Sequence, residues 1–310
     1  MHPKVIDVHS HLYLARAESG GLKISPPEPN VPNWTVESTL AMMDQNNIGV
    51  SLLSQPQKAT WHKPEIAREI NEEFARIVQD HPQRFGAFAV LPLGEIRSTL
   101  AEIEYSFDQL NLDGVLLNTN VDGFYLGDPR FEPVWAELNR RGAVAFIHPT
   151  VPPNFDAVGM GYQVSIIEYA FESTRSIASL VYTGTKRKYP NVKIISTHGG
   201  GATPFFAWRL ANFPKLLGIN NEEPINLMRE LKGFYFDLTA AATPYALPSI
   251  LELVPSTQVL MGFDYPMMTV PTFLSAQDQV AKHQGLSEGE VNSIFFGNAM
   301  SLFPRLRTKI

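Results

Sequence analysis

At 310 residues, with 44% hydrophobic and 18% charged residues, the chain has ample apolar material for a core, and its formal net charge of −6 argues against general nucleic-acid affinity, which requires Lys and Arg to neutralise phosphates. It has no cysteine, so disulfides and thiolate chemistry are excluded and His, Asp and Glu remain as the metal-ligand repertoire. No cationic leader precedes the first apolar stretch and no apolar run is long enough to span a bilayer. The expectation is a soluble, cytoplasmic protein that engages neither nucleic acid nor membrane.

The chain opens on an apolar run, Val5-Ile6-Asp7-Val8-His9-Ser10-His11, that reads as a strand ending in two histidines one position apart. Strand side chains alternate with period 2, so both imidazoles are expected on one face, where they could share a cation. Residues 12 to 34 follow as a long loop in which Pro26, Pro27, Pro29 and Pro32 prevent regular structure. Helical periodicity from Val36 to Asn46 leads into a buried strand, Gly49 to Ser54, and residues 64 to 81 form an amphipathic helix through Ile66, Ile70, Phe74, Ile77 and Val78. The alternation continues with a strand at Phe85 to Leu91, a helix at 95 to 110, a strand at Gly114 to Leu117, a helix at 129 to 141 and a strand at Ala143 to His148. A second Pro/Gly-rich loop, Thr150 to Gly161, precedes a helix at about 165 to 188. Then come a strand at Val192 to His198, helical material from 203 to 232, a strand at Phe234 to Leu238, a helix near 245 to 254 and a strand at Val259 to Asp264.

Eight nearly all-apolar strands alternating with helices predict a (β/α)8 TIM-like barrel, with 1–310 as one domain and long loops after strands one and five. A doubly wound open sheet is the alternative, but no glycine-rich dinucleotide or phosphate loop follows strand one. Barrel sites sit at the C-terminal strand ends, and there the sequence puts His9 and His11 (strand one), His148 (five), His198 (six) and Asp264 (eight). Such a set suits a divalent cation such as zinc or manganese. His2, His62, His81 and His283 fall in loops or helices and have no such placement. Asp7, one layer deeper in the opening strand, is expected to orient a histidine rather than to bind metal.

These residues carry a resemblance. Asp7-Val8-His9-Ser10-His11, Phe146-Ile147-His148-Pro149, Thr197-His198-Gly199-Gly200, Gly262-Phe263-Asp264-Tyr265-Pro266 and Phe296-Gly297-Asn298-Ala299 together resemble the amidohydrolase superfamily. The resemblance is to the branch of aminocarboxymuconate semialdehyde, resorcylate and carboxyvanillate decarboxylases, and within it to the 6-methylsalicylate decarboxylases. It covers essentially the whole chain. It implies that His9, His11, His148 and Asp264 bind one divalent metal, Zn2+ or Mn2+, with His198 beside the open coordination site. Binuclear members carry a bridging lysine at the end of strand four, whereas this chain reads Leu117-Asn118-Thr119, so one metal is expected.

By this resemblance the chain is a carboxy-lyase that decarboxylates a small aromatic hydroxy-carboxylate, with Asp264 as proton donor to the ring and His198 as its partner. Leu12, Trp34, Phe155, Tyr162 and Tyr265 are available to wall an aromatic ring. Arg209 resembles an arginine that related decarboxylases present across a dimer interface, and a homodimer or higher homo-oligomer is the expected assembly. The same mononuclear site could instead hydrolyse a lactone or amide. A metal-binding barrel without catalysis is the third reading.

Overall fold

In the computed structural model, which describes residues 5–25, 34–56, 60–219 and 222–308, the apolar segments form eight parallel strands paired in chain order. These are β1 (Val5–His11), β2 (Ile48–Ser54), β3 (Phe85–Ala89), β4 (Gly114–Asn118), β5 (Val144–His148), β6 (Lys193–Ser196), β7 (Tyr235–Asp237) and β8 (Val259–Leu260). Backbone hydrogen bonds carry the ring from β8 back to β1. The Val8 amide donates to Met261 (3.0 Å), the His11 amide to Tyr265 (2.7 Å) and the Asp264 amide to His9 (2.6 Å). The result is the (β/α)8 barrel expected from the alternation.

Strand alternation sorts the side chains. Ile6, Val8, Phe88, Leu116, Val144 and Phe146 fill the barrel, with the Phe88 and Phe146 rings stacked 4.7 Å apart, while Ala87, Val115, Leu117, Ala145 and Ile147 pack outward with the surrounding helices. Truncating a buried ring such as Phe146 to Ala typically costs about 3–5 kcal/mol, so this layer is a firm floor for anything above it. Ala299, Phe303 and Leu306 join the interior cluster, and Arg305 bonds Asp113 together with the Pro82 and Phe85 carbonyls. Those partners lie at the N-terminal ends of β3 and β4, so the chain's C-terminal segment plugs that end and leaves the other for chemistry.

The helices follow their sequence signals. Val36–Gln45 starts at Thr35, whose hydroxyl accepts from the Ser38 amide; Pro64–Asp80 starts on a proline, where no intrahelical N–H is needed, and buries Ile70, Phe74 and Ile77. Several expectations are corrected. The helix at 165 to 188 is two pieces, Glu168–Tyr182 and Thr185–Lys188, because Gly184 between them has φ +74°. The stretch 203 to 232 is likewise two helices, Thr203–Leu216 and Pro224–Leu231. The loop after β1 contains an antiparallel hairpin, Leu14–Arg16 with Leu22–Ile24, and the one after β5 contains a turn of helix, Phe155–Val158. The proline cluster from Pro26 to Pro32 lies outside the described residues. The last strand ends at Leu260 rather than at Asp264, whose φ of +65° cannot continue a ladder. Among the described residues no helix is long and apolar enough to cross a membrane.

Candidate active site

The strand ends meet at the open mouth. One ligand atom from each of His9, His11, His148 and Asp264 lies within 4.8 Å of the other three. The His9 and His11 Nε2 atoms are 3.1 Å apart, and Asp264 Oδ1 stands 3.0 Å from His11 Nε2 and 3.6 Å from His9 Nε2. His198 Nε2 lies 3.7 Å from the other carboxylate oxygen, Asp264 Oδ2. His198 is not the end of its strand, as expected, but lies two residues beyond β6. With Gly199, Gly200 and Gly201 it makes four successive residues of positive φ, from +53° to +71°. At Gly201 a Cβ would overlap the Ala170 carbonyl oxygen, so this turn needs glycine for both φ and space.

Each ligand imidazole is oriented through its other nitrogen. His9 Nδ1 donates to Asp237 Oδ2 (2.8 Å), with Thr239 Oγ1 at 3.1 Å; His11 Nδ1 donates to Ser54 Oγ (2.8 Å); His148 Nδ1 donates to the Pro149 carbonyl (2.8 Å). The Ser54 hydroxyl spends its own proton on the Ser10 carbonyl, so it accepts from His11. All three Nε2 atoms are thereby left with lone pairs that converge on one another and on a carboxylate. Bare, that arrangement is repulsive; a single divalent cation among nitrogen and oxygen donors relieves it, so the donor set fits one metal ion.

The electrostatics agree at His11 and His148, and His9 is drawn the other way by the carboxylates beside it. Burial, then the neighbouring imidazoles, hold the His148 imidazole well below the usual histidine range, and burial lowers His11 despite the Asp264 carboxylate. At His9 burial opposes protonation but the Asp237 and Asp264 carboxylates outweigh it, raising its pKa. Burial works against ionisation of Asp264 too, yet His9, His11 and His198 keep its carboxyl well below the ordinary carboxylate range.

Asp7 does not orient a histidine ring. The pairing of β1 with β2 shifts register between Asp7 and Ser10, so strict alternation fails there, and the His9 ring reaches Phe146 on the same interior side as Ile6 and Val8. Asp7 instead accepts from the His9 and Phe263 amides (3.0 and 2.9 Å) and the Ser51 hydroxyl (3.0 Å), and burial pushes its pKa up to about 7. The carboxylate that orients His9 is Asp237, whose Oδ1 also accepts the His198 and Thr239 amides at 2.9 and 3.1 Å. Asp237 and Ser54 are absent from the sequence-predicted site. Their signal is the one that marks His148, a polar residue closing an apolar barrel strand.

The other expected residues scatter. Tyr265 is half-buried beside Asp264, and Phe155 is half-buried on its short helix. Leu12 and Trp34 are buried in the core cluster, and Tyr162 is exposed. Arg209 is exposed on Thr203–Leu216, its guanidinium 4.1 Å over the Phe213 ring of its own helix, outside the cluster formed within one chain. Among the remaining histidines, His62 pairs with Asp122, His81 meets the Phe85 ring edge-on and His283 accepts from the Gly285 amide, whereas His2 lies outside the described residues. His198 also lines a cavity of about 250 Å³ whose other walls include Gly199, Phe205, Ala241, Tyr245 and Ile250.

The sequence profile of the amidohydrolase family matches residues 6–305. The chain belongs to the amidohydrolase family. The chain is 33% identical over 320 residues to the 6-methylsalicylic acid decarboxylase of Penicillium expansum, with 97% of each chain covered. Its fold is shared with 5-carboxyvanillate decarboxylase from Sphingomonas paucimobilis, with a TM-score of 0.83 at 22% identity over 97% of this chain and 99% of that one. It is shared also with the dihydroxybenzoic acid decarboxylase from Polaromonas, whose structure holds manganese and the inhibitor 2-nitroresorcinol, with a TM-score of 0.82 at 20% identity over 98% of each chain.

Proposed function

We propose that this chain is a metal-dependent, non-oxidative decarboxylase of an aromatic ortho-hydroxycarboxylate, of the 6-methylsalicylate or resorcylate type, with 1–310 as one barrel domain. The observation that carries the reading is the convergence of three Nε2 lone pairs and the Asp264 carboxylate on one point, with His198 beside them. The relative from Penicillium expansum supports the substrate class. His9, His11, His148 and Asp264 would hold one Zn2+ or Mn2+, and the chemistry such an ion would supply is Lewis acidity toward the substrate. The manganese of the Polaromonas structure supports the second of these ions.

The chain's own residues move the proton. Asp264, kept ionised by the imidazoles around it, takes the proton of the substrate hydroxyl and delivers it to the ring carbon that bears the carboxylate. His198 Nε2, 3.7 Å from Asp264 Oδ2, is close enough to stabilise that exchange or relay it. Protonation comes first because a bare aryl carbanion is too unstable to form. The carbon–carbon bond then breaks, its electron pair restores the aromatic ring, and carbon dioxide leaves. Phe155 and Tyr265 are the candidate walls for the ring.

The expected homodimer fits the face of Thr203–Leu216 on which Phe205, Trp208 and Leu216 stand 80%, 65% and 74% exposed, an apolar stripe suited to a second copy of the chain. Arg209 sits on this helix and is the group such a contact would bring toward the partner's site. The cytoplasmic location belongs to the same reading. Metal-loaded protein is to be assayed on 6-methylsalicylate, 2,6-dihydroxybenzoate and 5-carboxyvanillate for carbon dioxide release. The reading expects turnover of at least one; failure on all three with turnover of a lactone panel replaces it with a hydrolase.

A further inference from the structure

The end of β4 carries a polar group that neither the ligand cluster nor the fold uses. Asn118 is 4% exposed; its Oδ1 accepts a hydrogen bond from the Trp61 indole Nε1 at 2.9 Å, and its Nδ2 has no partner among the described residues. An indole N–H can only donate, so Trp61 fixes which end of the amide faces it and which end faces away. Asn118 is paired in register with His148 on β5. Two residues earlier on each strand, Leu116 and Phe146 both point into the barrel. Asn118 and His148 therefore leave their strands on the same side, one strand spacing apart at roughly 4.8 Å. A buried, unpaired N–H2 group costs the folded state the desolvation of that group, and such a group at an active-site mouth marks a position where an acceptor arrives with a ligand.

We propose that Asn118 is a substrate-orienting residue whose Nδ2 donates a hydrogen bond to the substrate's carboxylate. The inference rests on the decarboxylase reading and deepens it. The chemistry favours an uncharged donor here. A lysine or arginine in this place would bind the carboxylate anion strongly and resist its conversion to neutral carbon dioxide. An amide orients the same group with a weaker hold on the ground state, so its loss should fall on KM and not on kcat.

The test uses Asn118→Asp, which keeps an acceptor for Trp61 but removes the donor, and Asn118→Leu. Three readings are taken on metal-loaded protein: KM and kcat for 6-methylsalicylate, and equilibrium binding of 3-methyl-2-nitrophenol and of 3-methylphenol. The first phenol is an unreactive isostere with a nitro group in place of the carboxylate, and the second lacks that group altogether. The expected result is a KM raised roughly 10- to 100-fold, weakened binding of the nitro isostere, and unchanged binding of 3-methylphenol. Trp61→Phe, which frees the amide to rotate, should shift the same two quantities in the same direction by less. Unchanged isostere binding in both Asn118 variants, or an equal loss for 3-methylphenol, overturns the proposal. Because isostere binding is read without turnover, a wild type that releases no carbon dioxide yet shows this split would sink the decarboxylase reading and leave the role of Asn118 standing.

Discussion

Asp237→Asn is the most informative single change, because Asp237 joins the His9 ring, a candidate metal ligand, to the turn that carries His198. Its two oxygens do separate jobs: Oδ2 accepts from His9 Nδ1, and Oδ1 accepts from the amides of His198 and Thr239. Asparagine has only one acceptor. If it stays on the two amides, the side-chain N–H2 faces His9 Nδ1 and turns it into an acceptor, moving the ring proton to Nε2, where the lone pair for the metal is needed. If it stays on His9, two buried amides lose their partner. Hydrogen bonds to a charged group are worth about 1.5–3 kcal/mol, and loss of a partner behind a metal-binding histidine typically costs 10- to 100-fold in metal affinity. The expected outcome is a Mn2+ or Zn2+ dissociation constant raised by roughly that factor, measured by competition with a chromophoric chelator. Asp237→Glu, which keeps the charge but moves it, should recover little. Wild-type metal affinity in Asp237→Asn would refute the argument that the carboxylate sets the His9 tautomer.

Other outcomes follow from the same geometry. Asp264→Asn should abolish carbon dioxide release while the three histidines still retain metal, checked by elemental analysis of the purified variant; preserved activity would remove Asp264 as proton donor. Burial lowers the pKa of His11 and His148, so protons compete for these two only below the ordinary imidazole value of about 6.5, whereas the Asp237 and Asp264 carboxylates outweigh burial and raise His9, which is the first ligand imidazole to take a proton on acidification. Bound metal should therefore be retained on dialysis at about pH 8 and leave progressively as the pH falls. Metal retained undiminished at about pH 5 would contradict this. Gly201→Ala adds a left-handed penalty of roughly 1–2 kcal/mol to an overlap with the Ala170 carbonyl. A melting temperature lowered by on the order of 5–10 °C is expected, and a change under 2 °C would show that the turn can relax.

The barrel was legible because each of its strands is apolar on both faces, and parallel strands covered by helices require that composition. The ligands were legible because polar residues at the ends of such strands have few structural reasons to be there. Three things were hidden. The register shift inside β1 is a backbone event with no side-chain signature, and it changed Asp7 from a presumed ring partner into an acceptor for the His9 and Phe263 amides. The left-handed run from His198 to Gly201 lies where the sequence reads the end of a strand at His198 and a helix only from 203, and its three glycines are the trace it leaves. Asp237, Ser54 and Asn118 obey the same strand-end rule as His148, but reading the rule only for histidines and the last aspartate passes over them. Arg209 marks a different limit, since a residue exposed on its own chain can be assigned to a site only through an assembly.

The central claim is that a ring carbon is protonated in place of a carboxylate. Turnover of 6-methylsalicylate by the metal-loaded protein in heavy water tests it most directly, with the product examined by proton NMR and mass spectrometry. The account predicts one equivalent of carbon dioxide and 3-methylphenol carrying a single deuterium between its hydroxyl and methyl groups, with none formed after metal removal. Recovery of unchanged substrate across the aromatic panel, or product without deuterium at that carbon, would contradict it.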